Sequence, residues 1–388
     1  MLEPRLDALF ASDHPLAGGC LNGLGRLALR AERGEEALRC FTAALQKARA
    51  LNPESDVGIV AILANLGSAA SAAGRDAEAE ARCREAVSTA RSSAAAAVRG
   101  ELGVALHALA ATLKKQGKLV AAEAAARESL DERIAHLGSE HLDVAESQSL
   151  LARLLYARAE YDQAEPLFRA ALATRQKFLQ PPHPLLAQSE NYLAELLRER
   201  QLLPEAEALQ ESALEMRREL YGARHVEVAE SLTNLAKIRH ERKDPKAREL
   251  FAAALAIARE LSDQPSFRVM CMNNLVACLI DDQDLAAAEP LAREALESSR
   301  TNLPGDHIMG AFAARNLGRV CELNHALAEA ESCFRDSYET FARVRGDRHP
   351  ETLWLLRHLI QICRKLGRND EAERYGTLLK AAGAARGS

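Results

Sequence analysis

One alanine recurs at a nearly fixed interval down the chain: Ala37, Ala79, Ala122, Ala164, Ala206, Ala247, Ala288, Ala330 and Ala372. Subtracting neighbours gives steps of 42, 43, 42, 42, 41, 41, 42 and 42 residues. A leucine ladder runs ahead of it through Leu24, Leu66, Leu109, Leu151, Leu193, Leu235, Leu275, Leu317 and Leu359. Each leucine precedes its alanine by 13 residues, except Leu235, which precedes by 12. A period held through nine copies means one structural unit repeated nine times. Such units pack mainly on their neighbours, so 388 residues need not fold around one central core.

The fourth unit, His141 to Leu179, shows what is repeated. Its first half places Val144, Leu151, Leu154 and Leu155 at helical spacing, and its second half does the same with Ala164, Leu167, Phe168, Ala171 and Leu172. A polar break from Arg158 to Glu160 separates them, and Gln180-Pro181-Pro182 stops the second. Each unit is therefore two antiparallel helices. One pair cannot bury its apolar face alone, so the pairs must stack. The ladder alanine is predicted where the two helices cross, since a larger side chain there would force them apart. Some turns within a unit carry glycine, as in Ala73-Gly74-Arg75 and Gln116-Gly117-Lys118, whereas others read Arg200-Gln201-Leu202 or Asn324-His325-Ala326.

Composition narrows the setting. The chain is 48% hydrophobic and 27% charged, as a soluble fold requires, with only 4% aromatic residues. A net charge of -5 gives no general case for nucleic acid. Eight scattered cysteines form no CxxC pair, which argues against a zinc or thioredoxin-like site and for small apolar residues in a reducing, cytoplasmic compartment. The first residues lack a secretory pattern, and no run of about 18 apolar residues is present to span a membrane.

The stretches LGSEHLDVAESQSLLARLL, NNLVACL from Asn273 to Leu279, and KQGKLVAAEAAARESL from Lys115 to Leu130 carry a further signal. They resemble the tetratricopeptide repeat in its kinesin-light-chain-like form, whose period is 42 residues as here. The resemblance runs from His14 to Lys380. It departs from the pattern where the sixth unit shortens near Asp244-Pro245 and the next junction lacks the GxxHP loop. It implies an all-α, right-handed superhelical α-solenoid of nine helix-turn-helix units, with the first helices lining a concave groove. The expected organisation is an amphipathic N-terminal cap at 1–13, a solenoid at 14–380 with an irregular joint near 244–270, and a disordered tail at 381–388.

Recurrent histidines are the tempting chemistry. His14, His141, His183, His225, His307 and His349 each lie 10 residues before a ladder leucine. Metal ligands must converge within a few ångströms, whereas residues one unit apart are separated by two helix layers of about 8–10 Å each. These histidines therefore read as helix-start residues. The chain has no HExxH and no P-loop, and Gly23-Leu24-Gly25 lacks the rest of a dinucleotide fingerprint. No catalytic set, metal or cofactor is expected.

The groove implied by the resemblance is the better candidate. Its lining falls just before and after each ladder leucine. Asn65, Asn234, Asn274 and Asn316 stand one residue before it, and Asn22, Asn191 and Asn273 two before. An asparagine amide can both donate to and accept from a peptide backbone. The competing reading is that these asparagines touch neighbouring helices. The last two units add Arg315, Arg319, Arg357, His358 and Arg364, with Lys365 adjacent, while the middle units carry mixed charge at Arg153, Glu195, Arg198, Glu199, Glu230, Lys237 and Glu241. A basic stretch favours an acidic segment or a free carboxylate. Its competitor is an ordinary solvated surface with paired charges.

The expected function is a non-catalytic scaffold that binds a peptide or extended partner segment in the groove. The alternative is a ligand-responsive regulator that switches a partner protein when a peptide binds. Scarce aromatics beside the arginines argue against single-stranded nucleic acid. The final second helix exposes one side and leaves room for self-association.

Overall fold

The computed structural model describes residues 10, 14, 16–31, 33–51, 56–93, 96–261 and 263–384. Most of the cap expected at 1–13, and the end of the tail expected at 381–388, lie outside those residues. Among the described residues there are eighteen helices and no strand. They follow one another in nine consecutive pairs: α1 (Ala17–Arg30) with α2 (Gly34–Leu51), α3 (Asp56–Ala72) with α4 (Asp76–Ser92), and α5 (Ala96–Lys115) with α6 (Leu119–Leu137). There follow α7 (Leu142–Ala157) with α8 (Tyr161–Phe178), α9 (Pro184–Glu199) with α10 (Leu203–Tyr221), and α11 (Val226–Glu241) with α12 (Lys246–Glu260). The last are α13 (Pro265–Asp281) with α14 (Leu285–Asn302), α15 (Ile308–Leu323) with α16 (Leu327–Arg345), and α17 (Pro350–Lys365) with α18 (Asn369–Ala384). The chain divides into two compact units, Met1–Leu196 and Leu197–Ser388. The final helix continues to Ala384, into the segment expected to be tail, because Ala381 and Ala382 are strong helix formers.

The ladders mark the inside of each hairpin. All nine ladder alanines are at most 3% exposed, and every ladder leucine after Leu24 is buried. In three units a glycine follows the leucine, and space explains it. A Cβ on Gly318 would lie 2.7 Å from the Phe334 ring, one on Gly25 2.7 Å from Phe41, and one on Gly67 2.3 Å from the Cys83 sulfur. Each would have to displace a packed neighbour.

The turn inside a hairpin needs one residue in the left-handed region. Glycine supplies it at Gly74, Gly117 and Gly367. Five units place an ordinary residue there instead, at Ala159, Gln201, Lys243, Gln283 and His325, with φ of 60° to 62°. The sequence-level contrast between glycine and non-glycine turns is thus one conformation carried by two kinds of residue.

The recurrent histidines open first helices. Nδ1 of His14, His141, His183, His225, His307 and His349 accepts a hydrogen bond from the backbone N–H two residues on, at 3.1–3.2 Å. For all but His14, whose bond to Leu16 lies just ahead of α1, that is the work of an N-cap, which satisfies a donor the helix leaves free. The sixth and seventh units differ at their joint. There α12 has 15 residues, with Asp244 Oδ1 accepting from the Lys246 N–H at 3.0 Å, and α13 starts after Gln264 without a side-chain cap.

A polar latch ties three of the joints. Arg133, Arg175 and Arg217 each lie 11 residues after a ladder alanine, and all are at most 5% exposed. Arg133 donates to the Asp143 carbonyl at 2.6 Å and to Ser147 Oγ at 2.9 Å. Arg175 reaches Ser189 Oγ at 2.5 Å, and Arg217 reaches the Glu227 carbonyl at 2.8 Å and Ser231 Oγ at 2.9 Å. Each serine stands four residues before the next ladder leucine. Elsewhere the first position is never arginine and the second is never serine, as in Phe341 with Leu355.

Candidate functional site

In the second unit the first helices α11, α13, α15 and α17 are bridged along one face by charged side chains. His240 Nε2 lies 3.5 Å from Asp281, which also accepts from Arg319 at 3.3 Å. Arg315 pairs with Glu351 at 2.8 Å, and its guanidinium sits 4.9 Å from the Phe312 ring centre. Glu322 faces His358 Nδ1 at 3.2 Å and the Lys365 ammonium at 3.5 Å. The hydrogen bond with His358 is the main reason that Glu322 stays below the usual carboxylate range, with the Lys365 charge adding to it against the opposing effect of burial.

Between α15 and α17 this face opens into a crevice of about 560 Å³ lined by Arg315, Arg319, Glu322, Leu323, Pro350, Glu351, Trp354 and His358. Trp354 is the chain's one tryptophan. His358 lies against it with ring centres 3.8 Å apart and the rings tilted by 31°, and the Phe334 ring meets it edge-on at 5.7 Å. Phe334 is fully buried and fills the space that Gly318 leaves, so the tryptophan is positioned from the core outward. Leu323 is half exposed and completes an apolar wall with Pro350 and Trp354. The arrangement offers an apolar floor and a rim of charges already paired with one another.

The residues singled out from the sequence separate into distinct places. Arg315 and Arg319 line the crevice. Arg357 is exposed on α17 outside its lining. Asn316 is 1% exposed and donates to the Asn273 carbonyl at 3.0 Å, while Arg315 donates to its Oδ1 at 3.2 Å. Asn273 is buried and donates to the Met309 carbonyl at 3.1 Å. Those three side chains form one network beneath the face. Asn274 is half-buried beside it, with its Nδ2 enclosed and unpartnered among the described residues, and Asn234 is half-buried on α11. In the first unit, half-buried Asn65 donates to Asn22 Oδ1 at 3.1 Å, and buried Asn191 donates to Glu195 at 3.2 Å. Trp354 stands five residues before its ladder leucine, outside the positions that flank that leucine, so the repeat pattern does not mark it. Its being the sole tryptophan was the available signal. Among the described residues no three His, Cys, Asp or Glu side chains converge as metal ligands, and no helix is long and apolar enough to cross a membrane.

Comparison with known proteins bears on the fold. A family profile described as tetratricopeptide repeat matches residues 101–177, 185–260, 268–341 and 311–378, and a second of the same description matches 59–93. The crystal structure of BtubC (BKLC) from P. vanneervenii is 25% identical, covering 57% of this chain and 90% of its own at a TM-score of 0.51. The apo form of the quorum sensor NprR from B. thuringiensis is 11% identical over 98% of this chain and 99% of its own, with a TM-score of 0.70. A Rap protein complexed with Competence and Sporulation Factor is 16% identical over 92% of this chain and 100% of its own, with a TM-score of 0.58. These last two likenesses carry the fold alone. A search of curated proteins gives no match. With repeat profiles matched from residue 59 to residue 378, the chain belongs to the tetratricopeptide-repeat family.

Proposed function

We propose that the chain is a non-catalytic interaction scaffold that holds an extended segment of a partner protein on its first-helix face, with one side chain anchored between α15 and α17. The observation that supports this most is the crevice built around Trp354. Its walls of Leu323, Pro350 and Trp354 suit an apolar or aromatic anchor, and buried aromatics dominate the energy of such contacts. Arg315 and Arg319 already have carboxylate partners, so they orient a ligand more than they neutralise it. Exposed Arg357 and Arg364 favour acidic residues flanking the anchor. Asn273 and Asn316 tie adjacent first helices under that face, with Asn274 half-buried on α13 and Asn234 on α11, whereas Asn65 pairs with Asn22 and Asn191 with Glu195 in the first unit. Eight unpaired thiols suit a reducing, cytoplasmic setting.

Selection of peptides from a displayed library on the immobilised protein tests this. Selected peptides should share an apolar residue beside acidic ones, and Trp354→Ala should weaken them about 10- to 30-fold. Peptides indifferent to Trp354→Ala would overturn the reading. A second reading, a ligand-responsive regulator, draws on the Arg319–Asp281 and Arg315–Glu351 bridges. A ligand that captured either arginine would loosen adjacent first helices and change their spacing. Small-angle scattering with and without a selected peptide separates a switch from a static scaffold.

A further inference from the structure

Arg133, Arg175 and Arg217 fill three joints, and the position seven residues before the next ladder leucine is large and buried there too, as Val144, Leu186 and Val228. At the joint between α14 and α15 both positions are cut back. Ser299 stands 11 residues after Ala288, where the latch arginine would be, and Gly310 stands seven residues before Leu317. The two face each other, since a Cβ on Gly310 would lie 3.2 Å from Ser299 Oγ. The latch serine is missing as well, and Ala313 holds its place. These changes leave a hollow of about 250 Å³ between α14, α15 and α16, with Ser299, Gly310, Ala311 and Ala314 in its floor and Leu296 beside them. Its lining shares no residue with the crevice at Trp354.

Two buried hydroxyls line the hollow with their hydrogens already spent. Ser299 Oγ donates to the Leu296 carbonyl at 2.7 Å, and Thr340 Oγ1 donates to the Asp336 carbonyl at 3.2 Å. Their oxygens are left as acceptors. At the mouth stand two carboxylates and two guanidiniums. Arg300 and Asp336 pair with each other at 3.2 Å. Glu339 and Arg343, one turn apart on α16, have no side-chain hydrogen bond or ion pair among the described residues. One charge of each sign is thus left over, at a hollow smaller than the about 300–1,000 Å³ of a drug-sized site. A peptide segment exceeds that space, an anion alone meets both carboxylates, and a cation alone meets both guanidiniums. From this juxtaposition we infer that the hollow binds a free α-amino acid as its zwitterion. The ammonium group goes to Glu339 and the two hydroxyl oxygens, and the carboxylate goes to Arg343. A short branched side chain takes the space that the latch arginine fills elsewhere, against Leu296, Ala311 and Ala314. The ligand then ties α14 to α15 as the arginines tie their own joints.

Isothermal titration of the folded full-length protein with L-valine, L-threonine and L-leucine tests this. At least one should bind, one molecule per chain, with a Kd of about 1 mM or tighter. Its N-acetyl and amide derivatives, each lacking one charge, should bind at least about tenfold more weakly. The free amino acid should lose a similar factor on Glu339→Gln and on Arg343→Gln, since each removes a charged partner. Ser299→Arg should refill the hollow and abolish the heat of binding. No saturable heat from any of the three up to about 20 mM overturns the proposal without recourse to any variant. So does equal binding of either derivative, or full affinity in a Ser299→Arg protein whose circular dichroism is unchanged.

Discussion

Truncating Arg217 to alanine removes a guanidinium that is 4% exposed and ties α10 to α11. Two hydrogen bonds from a charged donor disappear, to the Glu227 carbonyl at 2.8 Å and to Ser231 Oγ at 2.9 Å. Such bonds are worth about 1.5–3 kcal/mol each, but the charge itself is costly to bury, and its removal returns much of that gain. What remains is the void left by the aliphatic stem and a fully buried Ser231 hydroxyl deprived of its donor. We expect a net loss of about 3 kcal/mol. Methionine fills most of the same volume and buries no charge, so Arg217→Met should cost only about 1 kcal/mol. Urea unfolding followed by helical circular dichroism gives both values. Because neighbouring hairpins stabilise one another, the alanine variant should also broaden or split the transition at that joint. A loss below about 1 kcal/mol for alanine would show that the latch is not part of the interface. Equal losses for alanine and methionine would place the energy in the hydrogen bonds and refute the packing argument.

Three further outcomes follow from the same geometry. Burial holds the folded His107 imidazole down at about 4 against an ordinary 6.5, so between those values the unfolded chain binds more protons. Stability should therefore be complete above about pH 6.5 and fall by up to about 3 kcal/mol as the pH drops toward 4, and His107→Asn should flatten that part of a stability-against-pH curve. Gly318→Ala drives a Cβ to 2.7 Å from the Phe334 ring and should cost about 1–3 kcal/mol in denaturant melts, with a shifted Trp354 emission because Phe334 abuts it. Lys243→Gly, at a φ of 60°, should leave thermal stability unchanged or raise it by up to about 1 kcal/mol, whereas the same change at helical Lys246 should lower it by a similar amount.

Much of the fold was legible because repetition amplifies weak signals. The Ala164 and Leu151 positions say little alone, yet their recurrence located every hairpin, and the 10-residue lead of His141 over Leu151 separated a helix cap from a metal ligand. Pairwise tertiary detail was not legible. Arg133 and Ser147 read separately as a helix charge and a neutral polar residue, and only the packed joint shows them bonded. The same holds for the groove. Asn316 and Asn273 occupy the positions expected to line it, but their amides run between first helices, since an amide facing a carbonyl one layer away meets that need before any ligand does. The basic stretch was visible as Arg315 and Arg319, whereas their carboxylates, Glu351 and Asp281, stand 36 and 38 residues away in sequence.

The proposed partner segment docks against Trp354 between α15 and α17. Since the chain has one tryptophan, its intrinsic emission reports on that crevice without a label. Titrating a selected peptide should give a saturable change in Trp354 emission. Arg319→Glu at the crevice should weaken the midpoint about tenfold, and Arg374→Glu, exposed on α18, should leave it unchanged. Tight binding with silent tryptophan emission, or weakening by Arg374→Glu and not by Arg319→Glu, would rule out docking at Trp354.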